Sequence, residues 1–174
     1  MLRTKRAHIR PLESSDFELL LEMYLEPDSN KYIAPLKDRS PEFYLNFLQT
    51  KRQQNQKEIG FWVAVEKTSK QIIGTVNLNT YAPLAITHIG CHLRSAFWGK
   101  SYASELLSAM VKYGFEERDL PCIHGVFERE DLASRRLMKK LGFSFKCNEI
   151  VNAVDLEVHQ LSYHYYKSKK AILK

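Results

Sequence analysis

Apolar residues recur at helical spacing in four segments of this chain. The clearest segment runs from Tyr102 to about Glu117 and has one continuous apolar stripe, which predicts an amphipathic helix. The stripe consists of Ala103, Leu106, Leu107, Met110, Val111 and Phe115. Shorter stretches with the same period predict three more helices. They extend from Ser14 or Ser15 to about Glu26, from Ser40 into the polar run Lys51 to Lys57, and from Asp131 to Leu141.

Runs rich in β-branched and aromatic residues predict strands between these helices. The predicted strands are His8–Pro11, Phe61–Val65, Ile72–Leu78, Ile86–Leu93, Cys122–Phe127, Phe143–Val151 and Val154–Tyr165. The order of the elements is therefore β-α-α-β-β-β-α-β-α-β-β. Such an order predicts an α/β fold in which a mixed sheet has helices on both faces.

The strand that ends at Leu93 leads through a short loop directly into the helix that begins near Tyr102. Small residues occupy alternate positions of this junction: Gly99, Ser101 and Ala103. The first backbone N–H groups of a helix have no partner within it and lie at the positive end of its dipole, so they attract anions. Small side chains let a phosphate group approach the backbone closely. The junction therefore predicts an anion site for a nucleotide-bearing cofactor, with an ordinary connector as the alternative.

The composition is that of a globular protein. The 174 residues are 44% hydrophobic and 26% charged, which predicts one domain over residues 1–174. No apolar run approaches the roughly 20 residues that span a bilayer. No apolar stretch follows the charged N-terminus in the manner of a secretory signal. We therefore expect a cytoplasmic protein without a membrane partner.

Cysteine spacing argues against a metal site, and the charge pattern gives little support to a nucleic-acid site. Cys91, Cys122 and Cys147 are far apart and form no Cys-x-x-Cys pair, so no metal site is predicted. The net charge is +6, and basic residues cluster near both ends of the chain. No nucleic-acid-binding motif accompanies this charge, so solvated termini are favoured over a nucleic-acid partner.

Several segments resemble motifs of the GNAT N-acetyltransferases. The loop Trp98–Ala103 (Trp-Gly-Lys-Ser-Tyr-Ala) is similar to the family's acetyl-CoA diphosphate loop, whose pattern is Arg/Gln-x-x-Gly-x-Gly/Ala. Asp131–Ser134, followed by Lys140–Phe143, resembles the family's Asn-x-x-Ser and Leu-Gly-Phe signature. Ile9–Leu12 with Asp16–Phe17 resembles the opening of the branch that acetylates the N-terminal amines of ribosomal proteins. The resemblance covers nearly the whole chain.

This resemblance implies a GNAT-type fold, with a central, mostly antiparallel sheet that contains one splayed parallel pair of strands. It also implies that acetyl-CoA binds as co-substrate, with its diphosphate on the loop and its pantetheine arm along the backbone near Leu93. An N–H group there would polarise the thioester carbonyl. The cofactor-binding residues that it implies are His92, Leu93, Trp98, Gly99, Lys100, Ser101, Tyr102, Ala103, Asp131 and Ser134.

The implied reaction is direct attack of a neutral primary amine on the thioester carbonyl, which needs a base and an acid. Ser134 would protonate the departing thiolate. His88 is the candidate base, because the ordinary histidine pKa of about 6.5 suits that role. Tyr163, on the last predicted strand, is the candidate tyrosine acid, with Tyr165–Tyr166 as alternatives. For each of these residues the alternative is a purely structural role: His88 as a surface histidine, Ser134 as a helix-surface serine and Tyr163 as a core tyrosine.

The sequence departs from the family pattern at three positions. Ser101 replaces a usual glycine, and Asp131 replaces a usual asparagine. Ala153 stands where relatives often have a catalytic carboxylate, and Glu149 is a weaker candidate base.

Two functions follow from the resemblance. The first is an acetyl-CoA-dependent N-acetyltransferase that acts on a protein N-terminus or a small amine. The alternative is a non-catalytic acetyl-CoA-binding sensor or regulatory module, which the three departures keep open. The resemblance is also consistent with a homodimer.

Overall fold

A computed structural model of the chain describes residues 1–54 and 60–172. The helices are α1 (Phe17–Leu25), α2 (Pro41–Gln54), α3 (Tyr102–Glu116), α4 (Leu132–Lys140) and α5 (Tyr163–Ile172). The strands are β1 (Leu2–Arg3), β2 (Ala7–Pro11), β3 (Gly60–Glu66), β4 (Ile72–Tyr81), β5 (Ile86–Leu93), β6 (Cys122–Glu128), β7 (Ser144–Val151) and β8 (Val154–Ser162). The part of the predicted polar run at 55–57 lies outside the described residues. No helix in the described ranges is both long and apolar enough to cross a membrane.

The strands form one eight-stranded sheet in the order β1-β2-β3-β4-β5-β6-β8-β7. Neighbours in this sheet are antiparallel, except that β5 and β6 are parallel. The prediction of a mixed, mostly antiparallel sheet with one parallel pair is therefore confirmed.

The two parallel strands, β5 and β6, pair with each other along only a short part of their length. Among the described residues, the β5–β6 ladder contains the pairs His88–His124 and Ile89–Gly125. β5 continues to Leu93 and β6 continues to Glu128 beyond this ladder. The two strand ends thus separate and leave a slot between them, which we call the β5–β6 slot.

The helices cover the two faces of the sheet with separate apolar cores. The stripe of α3 packs with Met138 of α4 and with Ile89 of β5 on one face. On the other face, Leu20 and Leu48 of α1 and α2 pack against the sheet. Burying each large apolar side chain of this kind contributes about 1.5–3 kcal/mol to the free energy of unfolding. The first core includes Ile89 and Leu93 of β5 and so fixes the position of that side of the slot.

The last predicted strand is too long. β8 ends at Ser162, and Tyr163 begins α5 instead of continuing the strand. Tyr163 and Tyr166 are three residues apart and therefore share one face of a helix. Their ring centroids lie 5.9 and 4.9 Å from that of Phe115. This packing outweighs the strand propensity of the tyrosines.

The N-terminus of α1 also differs from the prediction. The residue before the helix is Asp16, because Ser14–Asp16 forms a separate 3-10 turn. The buried Asp16 carboxylate accepts the N–H of Glu13 at 2.8 Å and pairs with Arg10 at 2.6 Å. Asp16, rather than a serine, is therefore the residue that directly precedes the helix.

We predict that Gly74→Ala destabilises the protein strongly. Gly74 faces Leu93 across the β4–β5 ladder with φ +152°, and a Cβ atom there would lie 2.1 Å from the carbonyl oxygen of His92. Because this neighbour is backbone, the free energy of unfolding should fall by roughly 3 kcal/mol, at the upper end for overpacking. Urea denaturation measures this change. Gly90→Ala is the matched control, since its Cβ would meet only the movable side chain of Asn77. Equal losses in both variants would contradict the prediction.

Candidate functional site

The loop before α3 places backbone N–H groups at one end of the slot. A 3-10 turn over Ser95–Phe97 follows β5, and the first bond of α3 runs from the N–H of Glu105 to the carbonyl of Ser101. The N–H groups that precede this bond have no partner within the helix and lie at the positive end of its dipole. The loop therefore has the donor set that an anion requires.

Gly99 leaves one side of this loop open. Its φ is +69°, a conformation that favours glycine, and a Cβ atom built on it would meet no atom within 4 Å. A side chain at this position would project into empty space, where a ligand can instead approach the backbone. The arrangement fits a diphosphate bound to the loop.

Ser101 adopts a left-handed conformation, with φ 63° and ψ 14°. This conformation costs a residue with a side chain roughly 1–2 kcal/mol relative to glycine. Glycine in the usual family pattern avoids this cost. The serine keeps its N–H group, so the substitution affects the backbone more than the donor set.

The end of β5 directs backbone groups of two residues into the slot. The N–H of Arg94 bonds to the carbonyl of Ile73 in β4. Because backbone groups along a strand alternate between its two sides, those of His92 point toward β4, whereas those of Cys91 and Leu93 point away from it, toward β6. Of the two residues predicted here, Leu93 faces the slot through its backbone and His92 does not. Cys91, which the sequence suggests only as a core residue, joins it.

Asp131 and Ser134 lie at the start of α4, on the β6 side of the slot. Asp131 caps the helix, because its carboxylate accepts the Ser134 N–H at 2.9 Å and the Ser134 hydroxyl at 2.7 Å. Burial first, and then the charge of Asp131, raise the pKa of the Cys91 thiol to about 12, so Asp131 lies near the end of β5. The Ser134 hydroxyl must turn away from Asp131 before it can donate a proton to a thiolate.

Comparison with known proteins gives the family of the chain. A family model described as "Acetyltransferase (GNAT) domain" matches residues 6–144. The uncharacterized N-acetyltransferase YoaA of Bacillus subtilis (strain 168) is 28% identical over 145 residues, which are 82% of each chain. The chain belongs to the GNAT acetyltransferases.

Solved structures agree with the family in their fold. An acetyltransferase (GNAT family) from Bacillus anthracis superposes with a TM-score of 0.81 at 23% identity, covering 94% of this chain and 98% of the other. RimL, a ribosomal-protein alpha-N-acetyltransferase in complex with coenzyme A, gives a TM-score of 0.77 at 16% identity and coverage of 93% and 97%. At these identities the likeness concerns the fold alone.

His88 of this GNAT acetyltransferase lies where the two parallel strands begin to separate. Its Nδ1 is 3.3 Å from the carbonyl oxygen of Asn79 and its Nε2 is 3.1 Å from the amide nitrogen of Asn77. A carbonyl can only accept, so Nδ1 has the proton and Nε2 accepts from Asn77. Burial lowers the pKa of His88 to about 4. The imidazole is therefore neutral, and both of its nitrogens are engaged.

The side chain of His92 is a feature that the sequence does not reveal. Its Nε2 lies 2.7 Å from the hydroxyl of Ser29, and its ring centroid is 5.1 Å from that of Tyr24. Its Nδ1 is buried and has no hydrogen-bond partner within the described part of the chain. Burial lowers the pKa of His92 to about 4. The resemblance implies that His92 binds the cofactor, whereas the described part of the structure shows a buried imidazole with one unpartnered nitrogen.

The segment 26–34, between α1 and α2, connects both sides of the slot. At one end, the Glu26 carboxylate accepts the N–H of Ser95 at 2.6 Å, just beyond β5. At the other end, the N–H of Ala34 donates to the carboxylate of Glu128 at 2.8 Å, at the end of β6. We call this segment the α1–α2 strap. Its contacts join residues far apart in sequence, so no local pattern predicts them.

The other predicted residues lie away from the slot. The N–H of Tyr163 bonds to the carbonyl of Pro121, just before the start of β6, whereas the slot opens beyond the middle of this strand. Tyr163 therefore lies near the start of β6, at the end of the strand opposite to the slot, and on a helix rather than the predicted strand. Glu149 is on β7, which β8 separates from β6. Ala153 is in the β7–β8 turn with φ 62°.

The two neutral histidines predict a loss of stability in mild acid. In the unfolded chain each imidazole binds a proton below about pH 6.5, whereas in the folded protein His88 and His92 bind one only near pH 4. Since the unfolded state binds more protons between these values, stability falls as pH decreases through this window. Each histidine should cost about 2 kcal/mol on going from pH 7.5 to pH 5.

Urea denaturation of the wild type, His88→Gln and His92→Gln at both pH values tests this expectation. Each glutamine variant should lose about 2 kcal/mol less than the wild type between pH 7.5 and pH 5. His164→Gln, at an exposed position of α5, is the control and should behave as the wild type. Identical pH-dependent losses in all four proteins would show that these histidines are not the cause.

Proposed function

We propose that this GNAT acetyltransferase transfers the acetyl group of acetyl-CoA to a primary amine, either a protein N-terminus or a small amine. The observation that supports this most is the continuity of the slot with the open loop. Backbone groups of Cys91 and Leu93 face the slot, and the N–H groups before α3 belong to the loop that follows the end of β5. A long ligand with an anionic middle and a thioester end fits this course.

The loop, the slot and the start of α4 share the binding of acetyl-CoA in this proposal. The N–H groups of Gly99 to Ala103 hold the diphosphate, with the loop residues Trp98, Lys100 and Tyr102 around it. The backbone of Cys91 and Leu93 pairs with the pantetheine arm. The Trp98 indole already donates to the Leu93 carbonyl at 2.8 Å. This bond leaves the Leu93 N–H as the donor for the oxygen of the thioester.

The chemistry that follows is a direct acyl transfer. The amine nitrogen attacks the thioester carbonyl carbon, the C–S bond breaks, and the departing thiolate takes a proton. The Leu93 N–H stabilises the negative oxygen that forms during the attack. Ser134 is the proposed proton donor to the thiolate, after its hydroxyl turns away from Asp131. The proton that the attacking nitrogen loses on forming the amide restores the serine hydroxyl.

Removal of the ammonium proton requires a neutral acceptor near the slot. His88 is the candidate from the sequence, and His92 is a second neutral histidine, whose Nδ1 has no partner among the described residues. The ammonium group loses its proton to one of these groups or to water before the attack. The Glu128 carboxylate lies beside the α1–α2 strap at the end of β6 and favours a positively charged acceptor, whereas Glu26 is paired with Arg94 at 3.6 Å. The charge of Glu128 supports an amine substrate without selecting between peptide and small molecule.

Calorimetric titration with acetyl-CoA tests the proposal. We expect binding near the micromolar range, about −8 kcal/mol, and no comparable heat from ATP. Gly99→Val should weaken binding by about tenfold or more, because its side chain would occupy the space of the diphosphate. Gly142→Val is the matched control, since Gly142 also has a positive φ, +88°, but ends α4. Wild-type affinity in Gly99→Val would contradict the site, and binding without thiol release in the presence of amines would favour a non-catalytic module.

Ser134→Ala should lower turnover more than it lowers acetyl-CoA affinity. The variant loses the proposed proton donor, whereas Asp131 still caps α4 through the backbone N–H at position 134. We expect kcat to fall about tenfold or more, within the range for general acid catalysis, with Kd changed less than about threefold. Steady-state kinetics of thiol release and calorimetry give the two values. Ser108→Ala, on the exposed surface of α3, is the control, and unchanged turnover in Ser134→Ala would remove the acid role.

A further inference from the structure

The guanidinium of Arg6 joins the N-terminal strands to the loop before α3. Its Nε donates to the Glu105 carboxylate at 2.7 Å, and its Nη1 donates to the Lys100 carbonyl at 3.1 Å. The guanidinium carbon also lies 4.0 Å from the ring centroid of Tyr102. One side chain thus contacts the loop, the first residue of α3 and the first turn of that helix.

Arg6 is itself held firmly. Its backbone N–H donates to the Glu105 carboxylate at 2.7 Å, and its carbonyl accepts the N–H of Lys67 at 2.8 Å. The Thr4 hydroxyl donates to the same carboxylate at 2.6 Å. Because both the backbone and the guanidinium are fixed, Arg6 can fix the groups that it contacts.

The contact with the Lys100 carbonyl sets the direction of the next N–H group. The structure contains no cis peptide bond in its described residues, so the bond between Lys100 and Ser101 is trans. In a trans peptide the carbonyl and the following N–H point in opposite directions. Arg6 therefore holds the Ser101 N–H pointing away from itself. It does so at a residue that has a side chain and yet adopts the left-handed conformation.

Arg6 also balances a charge beside the anion site. Glu105 is in the first turn of α3, where a free carboxylate would repel a bound diphosphate. Its two oxygens instead accept hydrogen bonds from Arg6 and Thr4. The ion pair removes the net charge of Glu105 from the neighbourhood of the loop.

We propose that Arg6 is a positioning residue for coenzyme A: it orients the Lys100–Ser101 peptide toward the diphosphate and neutralises Glu105. This inference rests on the proposed function, because it requires the diphosphate to bind this loop. Arginine is needed rather than any cation, since only a planar fork reaches the carboxylate and the carbonyl together.

Titration with two ligands tests the proposal. Coenzyme A has the diphosphate, whereas pantetheine lacks it and would contact only the slot. Arg6→Ala should raise the Kd for coenzyme A about tenfold and leave that for pantetheine unchanged. Arg6→Lys should lose nearly as much affinity as Arg6→Ala, because lysine is a point charge without the fork. Arg10→Ala is the matched control: it removes an arginine of β2 that pairs with Asp16, away from the loop, and should bind coenzyme A as the wild type does.

Each other result overturns the inference. Equal weakening for both ligands would show general damage to the fold, and wild-type affinity in Arg6→Lys would show that only charge matters. Failure of Arg6→Ala/Glu105→Gln to regain part of the lost affinity would remove the neutralising role. If the wild type binds no coenzyme A, the proposed function fails and this inference fails with it. If the wild type binds and Arg6→Ala binds equally well, the inference alone is wrong.

Discussion

Parallel strands hold each other only where they run side by side, and β5 and β6 do so for two residue pairs. Each strand remains bonded along its length to its outer neighbour, β5 to β4 and β6 to β8. The sheet can therefore open between them without losing continuity. Buried backbone groups without partners are costly, so the Cys91 groups and the Leu93 N–H, which face the opening, are a natural place for a ligand with its own donors and acceptors. The slot, the loop and the direction of α3 all follow from this short ladder.

The α1–α2 strap depends on the same opening. Its contacts with Ser95 and Glu128 connect the ends of strands that no longer contact each other. It also covers His92 through Ser29, and this burial keeps the imidazole neutral near physiological pH. A neutral imidazole is the form of histidine that can accept a proton. The separation of the strands and the state of the histidine are thus two results of one arrangement.

The sequence predicts the parts of this molecule that depend on local patterns. The stripe of α3 and the Asp131 cap are set by neighbours within a few residues, and the structure has both. Tyr163 differs because its tyrosine-rich segment suits a strand by composition, while contact with Phe115 selects a helix. The environment of the His92 ring is equally hard to predict, because its partner Ser29 is 63 residues away in the chain. Contacts between residues far apart in the chain determine the structure at such positions, and the hydrophobic periodicity of the sequence does not reveal these contacts.

The departures from the family pattern have separate physical consequences. Asparagine at position 131 would be uncharged, whereas Asp131 places a negative charge beside the slot and also accepts a hydrogen bond from the Ser134 hydroxyl. The same carboxylate therefore opposes an anionic co-substrate and fixes the resting orientation of the proposed acid. At Ser101 the consequence is a conformational free energy: a serine in the left-handed conformation must be stabilised by other contacts, whereas a glycine would not need them. Arg6 gives this support from a distant part of the chain through the Lys100 carbonyl. The loop thus depends on the N-terminal strands for a conformation that glycine would adopt without strain.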